Sequence, residues 1–354
     1  MQFGINLAPG AETWKIVQRA EELGFAHAWF IDSQLINADL FVAMTAAAMT
    51  TKSIALATGM LIPSNRIAPV AANGLASLGA LAPGRIHFGI ATGFTARRSM
   101  GLPPVKLDEM KEYIRVVRGL LAGETVEAEF EGKRRKIRFL NPELGLVNLR
   151  DPIPLHISAL GPRVRQYAAE VGAGFVVPVG TLAGAEAQMK TIREAWRAAG
   201  RDPASLEVTA MGNGCVLADG EPYDSPRAIA QAGPGLVIIL HDLVEETAHV
   251  STPRPQVPAL AAALDAFRKI YESYTPADAR YLELHRGHLM TVRPEEAKLV
   301  TAELVRAMTF TGPIAAIRDK LRALRDMGYA RFNTHVRHGH PRMAEDWARV
   351  AEGV

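Results

Sequence analysis

The feature that most constrains the fold is a regular alternation of short strand-like runs with longer amphipathic helical runs. Residues 2–7 are typical of a strand, residues 13–23 carry apolar side chains at helical spacing, and Gly24 ends that helix. Further strand-like runs follow at residues 26–31, 54–60, 85–91, 153–158, 175–179, 206–217 and 329–336. Eight strands that alternate with helices predict an α/β fold, a (β/α)8 TIM barrel. A doubly wound sheet is the alternative, but such sheets usually have roughly five or six strands.

Two stretches interrupt the alternation. Residues 126–139 alternate in polarity around Glu131-Gly132, which predicts a β-hairpin after the fourth helix, residues 107–121. Residues 221–310 are too long for a simple connection, and their Pro-broken pattern predicts a mostly helical insertion between the seventh and eighth barrel strands. We expect this insertion to cap the barrel mouth, within a single barrel domain that spans residues 1–354.

Composition narrows the choice of partners and compartment. The net charge is +3, and the dense basic run at residues 133–136 favours a solvated hairpin over a nucleic-acid face, because aromatic residues make up only 6%. The single Cys215 cannot form an internal disulfide and favours a reducing compartment. The first residues show neither a signal peptide nor a membrane span. We expect a cytoplasmic protein with no nucleic-acid or membrane partner and, since no metal-ligand spacing is present, no metal site.

Chemistry in such a barrel takes place at the carboxyl ends of the strands. The side chains there include few carboxylates and many small residues, against which a flat ligand can lie. The candidates at these ends are Asn6, Asp32, Ser33, Gly59, Met60, Thr92, Phe94, Ser158, Ala159, Pro178, Gly180, Thr181 and His335. His335 is the favoured acid or base because it ends the last strand at the mouth. His241, His285, His288 and His338 are more often structural or surface groups.

The turn after the fifth strand is the sharpest local signal. A strand ends at Ser158-Ala159, Gly161-Pro162 follow, and a helix starts at once. Proline suits the first position of a helix, and the free N–H groups behind it attract an anion. The turn therefore either binds a cofactor phosphate or is an ordinary strand-to-helix connection, and its spacing alone does not decide between them.

Several segments, in a fixed order, resemble the bacterial luciferase-like superfamily. They are Gly24-Phe25 leading to residues 29–32, residues 57–63 followed by Arg66 and Pro69, residues 83–93, the turn at residues 158–163, and residues 172–175. The resemblance covers residues 2 to about 210 and resumes from about 309 to 336. Within the superfamily, the chain most resembles the methylenetetrahydromethanopterin reductases and the F420-linked glucose-6-phosphate dehydrogenases.

This resemblance implies an oxidoreductase that uses a flavin or the deazaflavin F420. The Gly59–Met60 bond corresponds to a cis peptide behind the central ring of the cofactor. The positions that correspond to the ribityl and phosphate site are Ser158, Ala159, Gly161, Pro178, Gly180 and Thr181, and we add Thr92 and Pro162 to the expected cofactor-binding set. We also expect a homodimer or a higher homo-oligomer.

Two departures from the family pattern bear on the reaction. Many F420-linked relatives have Asp-His after the second strand, where this chain has Asp32-Ser33. The glucose-6-phosphate enzymes place a carboxylate after the fourth strand, where Phe94 stands. Neither substitute donates a proton near neutral pH, so sugar-phosphate oxidation is not expected. The expected catalytic set is His335, Asp32, Ser33, Phe94 and Asn6, with Phe94 suited to an apolar or aromatic substrate.

Three functions agree with these residues. The first expectation is a two-component monooxygenase, which takes reduced FMN from a separate flavin reductase and uses O₂ to oxygenate a small apolar or aromatic substrate. The alternative is an F420-dependent hydride-transfer oxidoreductase, which the overall resemblance favours and the missing Asp-His pair disfavours. A non-catalytic flavin-binding protein is the third.

Overall fold

A closed parallel barrel forms the body of the protein. The computed structural model describes residues 1–245 and 257–354. Its strands are β1 (Gln2–Leu7), β2 (His27–Phe30), β3 (Ala55–Thr58), β4 (Ile86–Ile90), β5 (Val126–Phe130), β6 (Lys133–Ile137), β7 (Leu155–Ser158), β8 (Gly174–Pro178), β9 (Val208–Gly212) and β10 (Arg331–Val336). Within the described residues, eight of them close in the order β1-β10-β9-β8-β7-β4-β3-β2, which confirms the predicted TIM barrel.

Helices surround the barrel and cover one of its ends. They are α1 (Thr13–Glu22), α2 (Leu40–Thr50), α3 (Ala68–Leu81), α4 (Phe94–Arg98), α5 (Leu107–Leu121), α6 (Pro162–Glu170), α7 (Leu182–Ala198), α8 (Pro226–Val244), α9 (Pro258–Glu272), α10 (Tyr281–Leu284), α11 (Pro294–Ala297), α12 (Ala302–Met308), α13 (Ile314–Asp326) and α14 (Met343–Ala351). The pattern of apolar residues predicts the long barrel helices to within one or two residues at each end.

The short helix α4 is a departure from the prediction. Gly93 precedes it in the left-handed region, with φ of 84°. This conformation favours glycine and turns the chain into a new helix directly after β4. The predicted hairpin, β5–β6, is present with Glu131 and Gly132 at its turn. Because α4 is an additional helix, the hairpin follows the fifth helix rather than the fourth.

The predicted helical insertion lies between β9 and α13. Its helices α8 to α12 pack around an apolar core of their own, which includes Leu236, Phe267 and Val305. Backbone hydrogen bonds close its neck: Phe310 N–H donates to the Asn213 carbonyl at 2.8 Å, Gly312 N–H to the Cys215 carbonyl at 3.1 Å, and Leu217 N–H to the Gly312 carbonyl at 2.9 Å. Part of the predicted insertion, residues 246–256, lies outside the described residues.

The seventh barrel strand is shorter than predicted. The apolar pattern predicts a strand over residues 206–217, but β9 ends at Gly212. The residues beyond it, including the buried Cys215, run beside residues 310–312 at the neck of the insertion instead. A Cβ at Gly214 would collide with the Phe310 carbonyl, so this close approach requires glycine.

Among the described helices, α8 alone is long and apolar enough, by length and composition, to cross a membrane. Half of its most apolar window is buried inside the protein, where Leu236, Val237 and Leu240 pack in the insertion core. Such burial is typical of the core helix of a folded domain.

Side chains fill the barrel interior in levels. Along β10, Arg331, Asn333 and His335 face inward at successive heights, and Phe332 packs outward against Trp347. We call the group at the amino ends of the strands, His27, His87, His156 and Arg331, the lower layer. Trp29, Ala57 and Val176 fill the middle. Asn6 and His335, at the carboxyl ends, form the upper layer.

The lower layer is a hydrogen-bonded cluster in the barrel floor. Nδ1 of His87 lies 2.9 Å from Nε2 of His156, and Nε of Arg331 donates to Nε2 of His27 at 3.1 Å. Burial, with the charge of Arg331 next in importance, lowers the pKa of His27 to about 3 and that of His87 to about 4. These rings are therefore neutral at pH 7.

Candidate functional site

The upper layer brings two predicted catalytic residues together. The parallel pairing of β1 and β10 places Asn6 opposite His335. Nδ2 of Asn6 lies 3.2 Å from Nε2 and 3.3 Å from Nδ1 of His335, and both residues are buried. Burial and the positive charge of Arg337 lower the pKa of His335 well below its usual value. The neutral ring offers one hydrogen-bond donor and one acceptor at the mouth.

The end of β3 forms one wall of the mouth. The peptide bond between Gly59 and Met60 is cis, as the resemblance implies. A Cβ on Gly59 would come within 2.8 Å of the Trp29 side chain, so the backbone packs there as only glycine allows. Met60 packs with Trp29 in the middle of the barrel. Both Gly59 and Met60 are partly exposed.

Asp32, another predicted catalytic residue, is engaged by the segment that follows β3. Nη1 of Arg66 donates to the two carboxylate oxygens at 2.9 and 3.0 Å, and Ile62 N–H donates to Oδ2 at 3.1 Å. Burial raises the pKa of Asp32, and Arg66 acts in the opposite direction. Asp32 therefore holds residues 62–66 against the end of β2. Ser33, next to it, is also buried.

The predicted phosphate turn is the start of the nine-residue helix α6. Gly161 is its N-cap and Pro162 its first residue, and within residues 1–245 and 257–354 no side chain caps the helix end. A Cβ at Gly161 would meet no atom of the described residues within 4 Å, so the space beside this helix end is open among them. Ser158 and Ala159 lie at the adjoining end of β7. Free N–H groups at an open helix N-terminus attract anions.

Arg165 adds a buried positive charge to this turn. Its Nε donates to the Ala159 carbonyl at 3.1 Å, whereas its Nη2 is buried without a hydrogen-bond partner in the described part of the chain. Because buried guanidinium groups are normally paired, a free nitrogen here fits an anion such as a cofactor phosphate. Sequence reasoning missed Arg165, although the Gly-Pro-x-x-Arg spacing from Gly161 could have indicated it.

The loop after β8 caps one helix and packs against the end of another. The Thr181 hydroxyl accepts a hydrogen bond from Gly184 N–H at 3.0 Å and so caps α7. A Cβ on Gly180 would lie 2.9 Å from the Met308 carbonyl, so the end of α12 packs directly on this loop. Pro178, the last residue of β8, is exposed. The loop thus joins the edge of the mouth to the insertion.

Thr92 and Phe94 lie at the turn between β4 and α4. The Thr92 carbonyl accepts a hydrogen bond from Val105 N–H at 2.8 Å. The Arg98 guanidinium carbon lies 3.7 Å from the centre of the Phe94 ring, and Nη1 of Arg98 donates to Oε2 of Glu245 at 3.0 Å. This cation–π contact holds the ring, and the Glu245 contact ties α4 to the insertion.

The insertion places three buried histidines beside α4. Nε2 of His288 lies 2.9 Å from Oγ1 of Thr95. The His288 ring packs beside those of His285 and His241, with ring centres 5.4 and 6.1 Å away. Nε2 of His241 lies 2.8 Å from Oε1 of Glu296. These contacts pack the described part of the insertion against α4, at the end of the barrel where a cap was predicted. They also bring in Thr95, which sequence reasoning missed.

Comparison with known proteins now identifies the family. The sequence profile described as luciferase-like monooxygenase matches residues 4–331. The chain belongs to this family. The family resemblance predicted from the sequence is therefore confirmed, and this luciferase-like protein is an oxidoreductase.

Two curated relatives of this luciferase-like protein have names that state a reaction. The 5,10-methylenetetrahydromethanopterin reductase of Methanolobus tindarius is 32% identical over 253 residues, which cover 69% of this chain and 76% of the relative. The F420-dependent glucose-6-phosphate dehydrogenase of Beutenbergia cavernae is 32% identical over 143 residues, which cover 38% of this chain and 40% of the relative.

Solved structures share the barrel. The coenzyme F420 dependent tetrahydromethanopterin reductase from Methanopyrus kandleri has a TM-score of 0.73 and 21% identity, covering 100% of this chain and 99% of that chain. The oxygenating constituent of 3,6-diketocamphane monooxygenase from Pseudomonas putida, in complex with FMN, has a TM-score of 0.66 and 15% identity, covering 99% and 95%. At these identities the likeness shows the fold alone, which F420 and FMN enzymes share.

An open groove of about 640 Å³ lies on the outer surface of the protein beside α5, away from the mouth of the barrel. Its walls carry charges of both signs, including Asp108, Lys111 and Arg115, and the ring of Tyr167. The residues that line it include none of the candidates at the strand ends, within the described residues. The candidate site is therefore the barrel mouth.

Proposed function

We propose that this protein is an F420-dependent oxidoreductase that transfers hydride to or from a small organic substrate. The observation that carries the proposal is its 32% identity, over 69% of the chain, to a methylenetetrahydromethanopterin reductase. A dehydrogenase whose name states F420 dependence is a further relative. These relatives favour the alternative of the sequence analysis over the FMN-dependent monooxygenase that was its first expectation.

The residues at the mouth fit this cofactor. F420 supplies a deazaflavin ring that gives or takes hydride when bound. Its phosphate would be held at the open N-terminus of α6, by Gly161 and the free Nη2 of Arg165. The ring would lie near Gly59–Met60, where the upper layer provides hydrogen-bonding groups. Ser158, Ala159, Pro162 and Thr92 remain predicted cofactor contacts.

A two-component FMN monooxygenase is the second candidate. Phe94 and Met60 give the mouth apolar walls, which suit a reaction that must exclude water and an apolar or aromatic substrate. The α6 turn would hold the phosphate of FMN as well as that of F420. This function would require a separate flavin reductase as a partner.

We also propose that the protein is a homodimer through the outer faces of α2 and α3. Val42 and Met49 on α2, with Ile67 and Val70 at the start of α3, are all more than half exposed. A continuous apolar face on two adjacent helices is typical of a protein interface, and a second copy offers a matching face. Sedimentation of Val42→Glu/Met49→Glu should show a monomer where the unaltered protein shows a dimer; a monomeric unaltered protein would contradict the proposal.

Parallel equilibrium titrations with F420 and FMN, followed by the fluorescence of each cofactor, test the proposed function. We expect F420 to bind more tightly than FMN in either redox state. Binding of reduced FMN, with a long-lived oxygen adduct in stopped-flow mixing and no binding of F420, would establish the monooxygenase instead.

A further inference from the structure

The proposed hydride transfer needs a group that handles a proton. When an alcohol gives up hydride its hydroxyl must lose a proton, and this inference therefore rests on the proposed function. Neither Ser33 nor Phe94 donates a proton near neutral pH, and Asp32 is held by Arg66. Two polar pairs at the mouth are Asn6–His335 and Thr95–His288. Asn6 and His335 are both buried, whereas Thr95 is partly exposed.

Thr95 stands next to Phe94 at the start of α4. Its Oγ1 lies 2.9 Å from Nε2 of His288, a residue 193 positions away on the insertion. Thr95 is partly exposed, whereas His288 behind it is buried. Thr95 is thus the more accessible residue of the pair, and a ligand at the mouth would meet His288 only through it.

The surroundings of His288 keep its ring neutral. Burial is the main cause that lowers the pKa of His288 well below its usual value. Electrostatic repulsion from neighbouring basic groups lowers it further, and these groups are His241, His285, Arg337 and His335. The ring is therefore in the neutral form, which can accept a proton through a hydroxyl that is hydrogen-bonded to it.

Polar atoms around His288 lack partners. Nδ1 of His288, Nδ1 of His285 and Oδ1 of Asn6 are buried, and none has a hydrogen-bond partner among residues 1–245 and 257–354. Buried polar atoms normally bond to protein, water or ligand. The junction between insertion and barrel therefore offers hydrogen bonds to a polar group that enters it.

The nearby cations are already engaged. Arg98 donates to Glu245, and Arg337 donates to the carbonyl oxygens of Gln231 and Leu289 at 3.0 and 2.6 Å. Because these N–H donors already bond protein oxygens, they are not open to a phosphate or a carboxylate, and the junction suits an uncharged hydroxyl or carbonyl group better.

We propose that Thr95 and His288 recognise the hydroxyl group of a neutral alcohol substrate and carry its proton. The C–H bond of the alcohol breaks with its electron pair leaving as hydride, so the carbon is oxidised to a carbonyl and the deazaflavin is reduced. The O–H bond breaks as its proton passes to Oγ1 of Thr95, whose own proton passes to Nε2 of His288. Phe94 would contact the apolar part of the substrate.

NMR of the histidine rings in the full chain tests the recognition step. The protein carries isotope-labelled histidine, and His288→Gln assigns the His288 signal. Cyclohexanol is the probe because it joins an apolar ring to one hydroxyl, and we expect it to shift the His288 signal in a saturable way. The shift should be lost in Thr95→Val and kept in Thr45→Val, a matched change on α2 where the hydroxyl bonds the Phe41 carbonyl. Cyclohexanecarboxylate should leave the signal unchanged.

Each outcome of this NMR titration either supports or overturns the proposal. No saturable shift with cyclohexanol, an equal shift in Thr95→Val, or an equal shift with the carboxylate would overturn the proposal. This measurement needs no cofactor, so a failure to bind F420 would overturn the proposed function and leave the NMR result standing.

The proton role has its own readout in protein that binds F420. We expect cyclohexanol-dependent reduction of F420 to fall roughly 100-fold or more in Thr95→Val, with unchanged affinity for F420. No turnover in the unaltered protein, or equal turnover in Thr95→Val, would contradict it.

Discussion

The two ends of the barrel interior are both buried and rich in neutral histidines, but they differ in what they contact. In the lower layer, His87 bonds to His156 and His27 bonds to Arg331, all between barrel strands. At the carboxyl ends, His335 contacts Asn6, and contacts such as Thr95–His288 cross from the barrel to the insertion. A lowered histidine pKa marks both ends and therefore does not identify the site. What identifies the site is its position at the carboxyl ends of the strands, beside an open helix N-terminus.

The largest expected effect belongs to the lower layer and concerns stability in acid. The pKa values of His27 and His87 in the folded state, about 3 and about 4, lie below the ordinary value of 6.5. As the pH falls below 6.5 the unfolded chain binds protons first, so stability is full above 6.5 and is lost towards pH 4. Each ring contributes up to about 1.4 kcal/mol per pH unit in that range.

Urea unfolding at pH 7 and pH 5 measures this effect. We expect the free energy of unfolding to fall by roughly 4 kcal/mol from these two rings alone. His87→Gln should reduce the dependence on pH. Equal stability at the two pH values would show that the lower layer is not the neutral cluster described here.

The second prediction compares two glycines, one at each end of the barrel. A Cβ at Gly174 would collide with Nδ1 of His156 in the lower layer, whereas a Cβ at Gly161 meets open space. Gly174→Ala should therefore destabilise the protein by about 1–3 kcal/mol, with F420 affinity unchanged in the folded fraction. Gly161→Ala should leave the unfolding midpoint unchanged. Equal midpoints for the two variants would contradict the packing described for the lower layer.

The smallest expected change in free energy lies at the phosphate turn. Gly161→Asp puts a carboxylate at the N-cap of α6, where it suits the helix but repels a cofactor phosphate. We expect F420 affinity to fall roughly tenfold, which is about 1.4 kcal/mol, while stability is kept. Gly161→Asn is the matched uncharged control and should bind F420 more tightly than Gly161→Asp. Unchanged affinity in Gly161→Asp would move the phosphate away from this turn.

The fold could be predicted from the sequence because its signals are local. Each strand and helix of the barrel shows its own period of apolar residues, and Glu131-Gly132 marks the hairpin turn. The overlong seventh strand shows the limit of this reasoning. Residues 213–217 have a strand-like pattern, but their partner is residues 310–312, and polarity alone does not say which chain segment an extended run will pair with.

The candidate site could be predicted only where it is built from local motifs. Gly59-Met60 and Gly161-Pro162 are such motifs, and the structure places both at the mouth. The contact between Thr95 and His288 joins two distant parts of the chain, so no local pattern indicates it. Asp32 was predicted as catalytic from its strand end alone, whereas in the folded protein its carboxylate is occupied by Arg66.

A crystal structure of the full chain with F420 tests the central claim most directly, namely that the carboxyl end of the barrel is the functional end. We predict the phosphate of F420 within hydrogen-bond distance of the first turn of α6 and of Nη2 of Arg165, with the deazaflavin ring against Gly59–Met60. F420 bound elsewhere, or with its phosphate away from α6, would contradict the account.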